Sequence, residues 1–404
     1  MKIGVLGLGY VGLVTAAVLA ARNNQVIGID VDASKIRLLQ SGKLPIFEPG
    51  LPERVEAGRN NLSFSTEYSD LSNCDAVFIC VPTPNVGRKI DLRYVLSASE
   101  GVKRYNASAD LVIKSTVLPG TARIVSNAIG MNVVSNPEFT REGSAVQDTE
   151  KPDRIVIGGA HVDQVKKIWE FTGSPMLVTT NENAELIKYA SNAFLAVKIS
   201  FINQIADLCE RVPNTDVNVV AEGMGLDKRI GREFLRAGIG YGGSCFPKDT
   251  VAISTFAEEK GVDLTIVRTT IDYNEVRVET LVGRMKEKLG SLKGKKVCVL
   301  GLSFKDNTDD IRESRSIRII ESLKKEGAVV NTYDPVVRYM DDIDISSDLK
   351  ECISFSDIVI TATEWKDFSE IDPSLLKGKR VFDFRRIFDP KRVELAMGVG
   401  IGRD

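Results

Sequence analysis

The chain has 404 residues and a formal net charge of −2. This length exceeds what one hydrophobic core usually serves, so we predict two or three domains. The near balance of charge excludes the basic surface typical of nucleic-acid-binding proteins and leaves no acidic tail. No uncharged apolar run approaches the roughly 20 residues that cross a bilayer, and the glycine-spaced segment 1–9 lacks the pattern of a signal peptide. We therefore expect a cytoplasmic protein with no nucleic-acid or membrane partner.

Cysteine and histidine usage narrows the possible chemistry. The six cysteines, at positions 74, 80, 209, 245, 298 and 352, are scattered and form no CxxC pair. This pattern favours reduced thiols over a disulfide framework or a zinc site, and no metal is expected. The single histidine, His161, belongs to no motif. A histidine-containing triad is therefore excluded, and acid–base chemistry falls to Lys, Asp, Glu, Cys or water.

A short apolar strand at residues 2–7 runs into a glycine-rich turn. Gly7, Gly9 and Gly12 have the GxGxxG spacing, and residues 13–19 continue as an apolar helix. These glycines permit a tight turn and let a pyrophosphate approach the positive end of the helix. The glycines alone would be weak, but strand, turn and helix in this order predict a dinucleotide-binding domain.

The next strand, at residues 26–30, ends on Asp30. A carboxylate at this position accepts hydrogen bonds from the adenosine ribose and repels a 2′-phosphate, so we predict NAD as the cofactor over NADP. Lys35 follows shortly after. It can flank the ribose or a phosphate, or it can be a solvated helix lysine.

Polar residues stand near the ends of three further apolar strands. Thr83, Thr116 and Glu138 are the candidates. Ligands meet the carboxyl ends of the strands in a parallel sheet, so these side chains can belong to a site. Polar residues are also common wherever strands stop. The three strands are predicted at 75–81, 111–117 and 131–135.

A long helix is predicted over about 184–212, where Gly and Pro are absent and apolar residues occur nearly all round. Thr179 and Glu182 have the spacing of a capping box at its start. Lys188 and Asn192 are four residues apart and share one face. Because buried polar groups need partners, they either cap each other or face a polar site. Such an apolar helix suits a position between domains or at a dimer seam.

The loop at residues 240–249 contains three glycines and a proline around Cys245, Lys248 and Asp249. The glycines allow close approach of a ligand or of another backbone segment. The cysteine can serve as a nucleophile next to cations, or the segment can be a structural turn around a small buried thiol.

The last third of the chain repeats the opening pattern. Residues 297–304 resemble residues 3–10, with Ser303 in the place of Gly9, so we predict a second doubly wound half without its pyrophosphate turn. The charged run 304–314 is either a solvated loop or a set of cations that face a ligand. Residues 335–350 look irregular. Further strands are predicted at 328–334, 358–362 and 381–386.

Taken in order, these segments resemble the UDP-glucose/GDP-mannose dehydrogenase family over nearly the whole chain. The resemblance implies an α/β fold with two Rossmann-like doubly wound domains, joined by a long central helix and a small helical domain. The implied division is 1–178 for NAD, 179–290 for the central helices and the cysteine loop, and 291–404 for the UDP-sugar. The motifs are the glycine fingerprint, Pro45-Ile46-Phe47-Glu48-Pro49-Gly50-Leu51, Lys114-Ser115-Thr116-Val117, Asn136-Pro137-Glu138-Phe139, the Lys188/Asn192 helix, the Cys245 loop and Phe304-Lys305 through Ser314.

The resemblance also implies a reaction, which is oxidation of a nucleotide-sugar 6-alcohol to the carboxylate with two NAD. The implied substrate is UDP-glucose, converted to UDP-glucuronate for polysaccharide biosynthesis, with GDP-mannose or a UDP-N-acetyl-hexosamine as alternatives. Cys245 would form a thiohemiacetal and then a thioester, which suits a nucleophile that also leaves well. Lys188 and Asn192 would stabilise the oxyanion, and Glu138 would act as base for hydrolysis. Asp249 would orient water or act as base, and Thr116 would help through a bound water.

The remaining implied contacts divide between cofactor and substrate. The cofactor residues are Gly7, Gly9, Tyr10, Val11, Gly12, Asp30, Lys35, Thr83, Thr116, Glu142, Lys248 and Arg312. The substrate residues are Glu138, Phe139, Lys188, Asn192, Arg229, Tyr241, Gly242, Phe304, Lys305 and Arg385. Arg229 would reach the substrate of a neighbouring subunit, so at least a homodimer is implied.

This chain departs from the family pattern at two places, and two other functions compete. Thr140 stands where the family usually has Leu, and the segment 84–91 lacks the common Asp-Gly stretch. A β-hydroxyacid dehydrogenase would share the fingerprint and a helix lysine but would perform one oxidation without a cysteine. A non-catalytic sugar-nucleotide-binding protein would bind both ligands without turnover.

Overall fold

A computed structural model of the chain describes residues 1–402. The fold divides into two compact units, Met1–Ser191 and Asn192–Asp404, which are taken in turn. The three-part division at 1–178, 179–290 and 291–404 remains a prediction. Within the described residues, no helix is long and apolar enough to cross a membrane.

The first unit is built on an eight-stranded sheet in the order β10-β9-β8-β7-β4-β1-β2-β3. Neighbouring strands are parallel except β8 and β9, which are antiparallel. A two-stranded hairpin, β5–β6, stands apart and occupies the segment that departs from the family pattern. The strands are β1 Lys2–Leu6, β2 Gln25–Ile29, β3 Leu62–Ser65, β4 Ala76–Ile79, β5 Asn85–Val86, β6 Lys89–Ile90, β7 Asp110–Ile113, β8 Val133–Ser135, β9 Ile155–Gly158 and β10 Met176–Thr179.

Helices cover both faces of this sheet, which is why its central strands, such as β4, are apolar and buried, whereas the edge strands β3 and β10 are only partly buried. Ile3 and Val5 of β1 pack on one face with α1, whereas Leu6 points to the opposite face, packed by α4 and α5. The helices are α1 Tyr10–Ala21, α2 Ala33–Gln40, α3 Leu51–Gly58, α4 Arg93–Tyr105, α5 Thr121–Ile129, α6 Ala145–Glu150 and α7 Asp163–Trp169.

The predicted long helix is α8, Asn181–Cys209, which begins in the first unit and ends in the second. It starts and stops three residues before the predicted bounds. The predicted capping box of Thr179 and Glu182 is not formed: the Asn183 N–H donates to the Thr180 hydroxyl at 3.2 Å, the Asn183 side chain donates to the Thr179 hydroxyl at 3.0 Å, and Glu182 pairs with Arg123.

The second unit contains a five-stranded parallel sheet in the order β12-β11-β13-β14-β15. Its strands are β11 Lys296–Leu300, β12 Val329–Tyr333, β13 Ile358–Thr361, β14 Arg380–Asp383 and β15 Leu395–Gly398. Its helices are α9 Val217–Gly225, α10 Phe246–Glu259, α11 Thr265–Leu289, α12 Arg315–Lys325, α13 Leu349–Phe355 and α14 Lys366–Ser369.

The predicted echo of the first half is confirmed, including the lost pyrophosphate turn. After β11 the chain forms no helix until α12. Asp334, which follows β12 as Asp30 follows β2, is fully buried and accepts the N–H groups of Leu302 and Ser303 at 2.8 and 3.2 Å. The acid that would hold a ribose in a dinucleotide domain is here part of the loop structure.

The expectation of six reduced thiols is wrong for two of them. Cys298 on β11 and Cys352 on α13 are both fully buried and form a disulfide, with Cα atoms 5.6 Å apart. The residues are 54 positions apart in sequence, and only the fold brings them together. No CxxC spacing signals such a pair.

Candidate active site

The glycine turn of the first unit leaves room for a pyrophosphate. Gly7 has φ +87°, and a Cβ there would lie 2.7 Å from the Cys80 carbonyl. A Cβ on Gly12 would lie 1.8 Å from the Gly7 carbonyl, so α1 can only pack this closely with glycine. A Cβ on Gly9, the N-cap of α1, would meet open space instead. The open side of the turn therefore faces outward at the positive end of α1.

Asp30 lies at the end of β2 next to this turn. Its carboxylate accepts the Leu8 N–H at 2.8 Å and the Asp32 N–H at 3.0 Å, and it pairs with the Lys35 ammonium at 2.7 Å. The ion pair with Asp30 thus places the Lys35 ammonium next to the predicted ribose site. A carboxylate that is fixed in this way beside an open helix N-terminus fits the adenosine half of NAD.

Tyr10 and Val11 begin α1, and Tyr10 links the turn to the loop before α6. The Gly143 N–H donates to the Tyr10 hydroxyl and to the Glu48 carboxylate, each at 2.7 Å. Glu48 is buried and also accepts the Ala145 N–H, so this carboxylate of the predicted motif supports the loop. Glu142 lies in that loop, next to the glycine that Tyr10 binds.

Thr83 and Thr116 meet where β4 and β7 end. The Thr83 hydroxyl donates to the Thr116 carbonyl at 2.9 Å. Their predicted position at the carboxyl edge of the sheet is therefore found in the fold.

Glu138 and Lys188 form a buried ion pair in the first unit. The Lys188 ammonium donates to Glu138 Oε1 at 2.8 Å, and both side chains are less than 10% exposed. The Thr140 N–H and hydroxyl donate to Oε2 at 2.6 and 2.7 Å. Burial by itself raises the pKa of Glu138, but Lys188 and Thr140 outweigh it and lower that pKa to about 2. Glu138 is thus ionised and, while paired, a weak proton acceptor.

Phe139 is flanked by cations. The Arg154 guanidinium lies 3.8 Å from the centre of the Phe139 ring, and the Lys188 ammonium lies 5.5 Å from it. Burial lowers the pKa of Arg154. These contacts hold the ring beside the ion pair.

In the second unit, hydrogen bonds to the backbone of the cysteine loop fix its conformation. Gly240 and Gly243 adopt φ +99° and +80°. The Tyr241 N–H donates to Asn274 Oδ1 at 2.8 Å, and its carbonyl accepts from Asn274 and Arg315. A Cβ on Gly242 would lie 2.2 Å from the Glu313 carbonyl. Burial raises the pKa of Tyr241 to about 12, so its hydroxyl stays neutral.

Cys245 follows this loop as the N-cap of α10, and its side chain is exposed. One turn into the helix, Asp249 is 1% exposed. Asp249 accepts from Asn192 of α8 at 2.7 Å and from Lys248 at 2.5 Å. The fold therefore brings three predicted site residues together at the start of the helix that Cys245 caps.

The predicted ligand residues of the second unit, Phe304, Lys305 and Arg385 for the substrate and Arg312 for the cofactor, lie in different settings. A Cβ on Gly243 would lie 2.7 Å from the Phe304 ring, so Phe304 packs against the cysteine loop, and the ammonium of Lys305 lies 6.0 Å from that ring. Arg385 donates to the Ala362 carbonyl, and burial lowers its pKa. Arg312 pairs with Asp310.

Arg229 is not brought to these residues. Its side chain is 90% exposed and pairs with Asp227 at 2.6 Å. A contact with another subunit's substrate therefore stays a prediction.

Sequence reasoning missed several supporting residues. Thr140 departs from the family pattern, and its two hydrogen bonds to Glu138 have no signal in the sequence. Glu185, Asn274 and Arg315 carry no motif. The available signal for Glu185 was its position three residues before Lys188 on the same helix face.

Three family models match the chain, each from the UDP-glucose/GDP-mannose dehydrogenase family. They are the NAD binding domain at residues 1–171, the central domain at 182–276 and the UDP binding domain at 298–390. Similar proteins include a UDP-glucose 6-dehydrogenase of Bacillus subtilis, 39% identical over 98% of this chain and 91% of the relative. Another is a UDP-glucose 6-dehydrogenase of Rhizobium meliloti, 40% identical over 96% of each chain.

Solved structures agree over the same length. A UDP-glucose dehydrogenase from the hyperthermophilic archaeon Pyrobaculum islandicum is 38% identical with a TM-score of 0.93, covering 99% of this chain and 98% of that chain. A UDP-D-ManNAc dehydrogenase from Pyrococcus horikoshii is 28% identical with a TM-score of 0.87, covering 99% of each.

Proposed function

The chain belongs to the UDP-glucose/GDP-mannose dehydrogenase family and is an NAD-dependent nucleotide-sugar dehydrogenase, and we propose that its substrate is UDP-glucose, oxidised at the 6-hydroxymethyl group to UDP-glucuronate. The observation that carries this proposal is the placement of Cys245. The thiol is exposed at the start of α10, while Asp249 and Asn192 are paired and buried one turn away. The substrate follows the names of the relatives that are about 40% identical.

NAD, when bound by the first unit, would supply the hydride acceptor, and oxidation of an alcohol to an acid would use two NAD molecules in succession, one for each hydride. Cys245 supplies the covalent chemistry between the two oxidations. Its sulfur adds to the carbonyl carbon of the aldehyde and forms a C–S bond, and the aldehyde oxygen becomes the thiohemiacetal hydroxyl. Loss of a hydride and a proton from this centre gives the thioester. Water then breaks the C–S bond, which releases the carboxylate and restores the thiol. The positive end of α10 favours the attacking thiolate.

The negative charge that develops on the substrate oxygen is stabilised by Lys188 and Asn192, and Asp249 holds Asn192 in place. The Lys188 ammonium and the Asn192 amide are donors suited to an oxyanion. Each is held by a buried carboxylate, Glu138 or Asp249. Glu138 holds the Lys188 ammonium in place and becomes a competent base for the hydrolysing water only when substrate draws Lys188 away. Thr116 places the water of the first step.

The other predicted residues bind the ligands. Lys305, Arg385, Tyr241 and the loop backbone hold the UDP-sugar, and Arg229 completes the site of a second subunit in a homodimer. A UDP-N-acetyl-hexosamine is one alternative substrate, because the similar structures include a UDP-D-ManNAc dehydrogenase, and GDP-mannose is another, because the family's own name includes it. A comparison of kcat/KM among these sugars tests the choice, and a preference for any sugar over UDP-glucose would reject it.

Replacement of the nucleophile tests the mechanism. We expect Cys245→Ser to lower steady-state formation of the acid by at least about 100-fold, because an alkoxide is a much poorer leaving group than a thiolate. Cys209→Ala, which changes a buried thiol of the same unit, should retain activity. Product analysis by mass spectrometry provides the measurement, and full-rate UDP-glucuronate formation by Cys245→Ser would contradict the covalent route.

A further inference from the structure

Glu185 is a buried carboxyl group that the proposed chemistry does not use. It lies on α8, three residues before Lys188, and is 2% exposed. Its Oε2 accepts the Gly120 N–H at 2.6 Å. Its Oε1 accepts the Ala122 N–H at 2.8 Å and the Ser135 hydroxyl at 3.2 Å. Both oxygens are therefore acceptors.

These donors come from the two segments that carry site residues. Gly120 and Ala122 form the start of α5, where the loop that carries Thr116 ends. Ser135 is the last residue of β8, directly before the segment that leads to Glu138. One carboxylate on α8 thus binds both segments at once.

Glu185 also faces the same space as Lys188. A small cavity of about 10 Å³ is bordered by both side chains and by Thr116. That size is close to what one water requires. The other residues around it are Ile113, Ser115, Val117, Ser135 and Pro137.

We propose that Glu185 is a positioning residue, which fixes the Thr116 loop and the Glu138 segment against the turn of α8 that presents Lys188. This inference rests on the proposed function only in the roles of Thr116, Glu138 and Lys188. The positioning itself is a property of the first unit and can be measured without turnover.

The charge of Glu185 gives the proposal a pH signature. Burial raises the pKa of Glu185 to about 7, against the effect of its three donors. The carboxylate accepts all three hydrogen bonds more strongly than the neutral acid, because a protonated oxygen is a weaker acceptor than an ionised one. The Thr116 loop should therefore loosen as the pH falls below about 7. Other charged groups on the surrounding elements are Glu182 and Lys188 on α8, Arg123 on α5, Lys114 after β7 and Glu138 after β8.

The experiment compares Glu185→Gln with Glu182→Gln, the same substitution one turn earlier on α8. Glu182 is partly exposed and pairs with Arg123, so it serves as the matched control. Amide hydrogen exchange of segment 114–122 in the full chain is the first readout. We expect exchange at least about tenfold faster in Glu185→Gln than in the control, and faster in the unmodified protein at pH 6 than at pH 8 after correction for intrinsic exchange.

Kinetics provide the second readout. We expect kcat of Glu185→Gln to fall about tenfold to 100-fold, with each KM changed less than about threefold, because misplacement affects the transition state more than binding. We expect kcat of the unmodified protein to fall as the pH drops below about 7, and Glu185→Gln should lack this acid limb. Unchanged exchange in Glu185→Gln, or an equal effect of Glu182→Gln, would overturn the proposal.

A milder variant keeps the proposal testable if Glu185→Gln fails to fold. Ser135→Ala removes one donor to Glu185 and should raise exchange of segment 114–122 by a smaller factor; no change in it would also count against the proposal. If the unmodified protein does not oxidise UDP-glucose but the exchange effects appear, the proposed substrate fails and the positioning role stands.

Discussion

At the scale of single residues, the ion pair of Lys188 and Glu138 explains how a charged ammonium can be kept in a buried place. A buried charge without a partner is strongly unfavourable, and the 2.8 Å contact with Glu138 compensates for it. Thr140 then satisfies the second oxygen of Glu138 with two hydrogen bonds. A leucine at position 140 could offer only its N–H, so this chain holds Glu138 more firmly than the usual family residue would.

Thr140→Val tests this role. It removes the hydroxyl and keeps the N–H, so the pKa of Glu138 should rise from about 2 towards its ordinary value of 4.5. Because the folded pKa is lowered, its stabilisation is present above pH 4.5 and is lost as the pH falls towards 2. The variant should be about 1.5 to 3 kcal/mol less stable at neutral pH, as for a hydrogen bond to a charged group, and should lose less on acidification.

The measurement is the thermal unfolding midpoint between pH 3 and 7, with Thr140→Ser as control because serine keeps the hydroxyl. Equal midpoints for the valine and serine variants would show that the hydroxyl does not stabilise Glu138.

At the scale of elements, α8 has a face that the second unit leaves uncovered. Phe194, Phe201 and Leu208 follow at intervals of seven residues and are 64%, 44% and 58% exposed. A stripe of large exposed apolar side chains typically marks an interface. A second copy of the chain, as the resemblance implied, is the partner we expect on this face.

Phe201→Glu should therefore weaken self-association by at least about tenfold, since burial of a phenylalanine contributes roughly 1.5–3 kcal/mol and tenfold corresponds to about 1.4 kcal/mol. Analytical ultracentrifugation over a concentration series measures the change. Ile124→Glu, at an even more exposed apolar residue of α5 in the first unit, should leave self-association unchanged. A chain that is monomeric without any substitution would contradict the assignment of this face.

Features formed by residues close together in the sequence could be predicted, whereas contacts between distant segments could not. Gly7, Gly9 and Gly12 lie within one short turn, so their spacing in the sequence is sufficient to predict the dinucleotide site. The contacts of Glu185 with Gly120 and Ser135 join residues 50 or more positions apart, and no local pattern encodes them. The same holds for β9 and β10, whose pairing depends on the rest of the sheet.

At the scale of the whole molecule, the Cys298–Cys352 disulfide joins β11 to α13 across 54 residues. A cross-link that closes a loop of this length restricts the unfolded chain and contributes roughly 4 kcal/mol in the chain-entropy model. The second unit should therefore unfold at a lower temperature after reduction, by calorimetry with and without reductant.

Thiol titration in denaturant supplies the control. Four of the six cysteines should react before reduction and all six afterwards. Six reactive thiols before reduction, or an unchanged unfolding temperature, would contradict this prediction.

The central claim is a four-electron oxidation that passes through Cys245. The measurement that tests it most directly is the yield of NADH at completion with limiting UDP-glucose. We predict two NADH for each UDP-glucose and UDP-glucuronate as the product. One NADH for each sugar, with an aldehyde as the product, would show that the enzyme performs a single oxidation and that Cys245 has no covalent role.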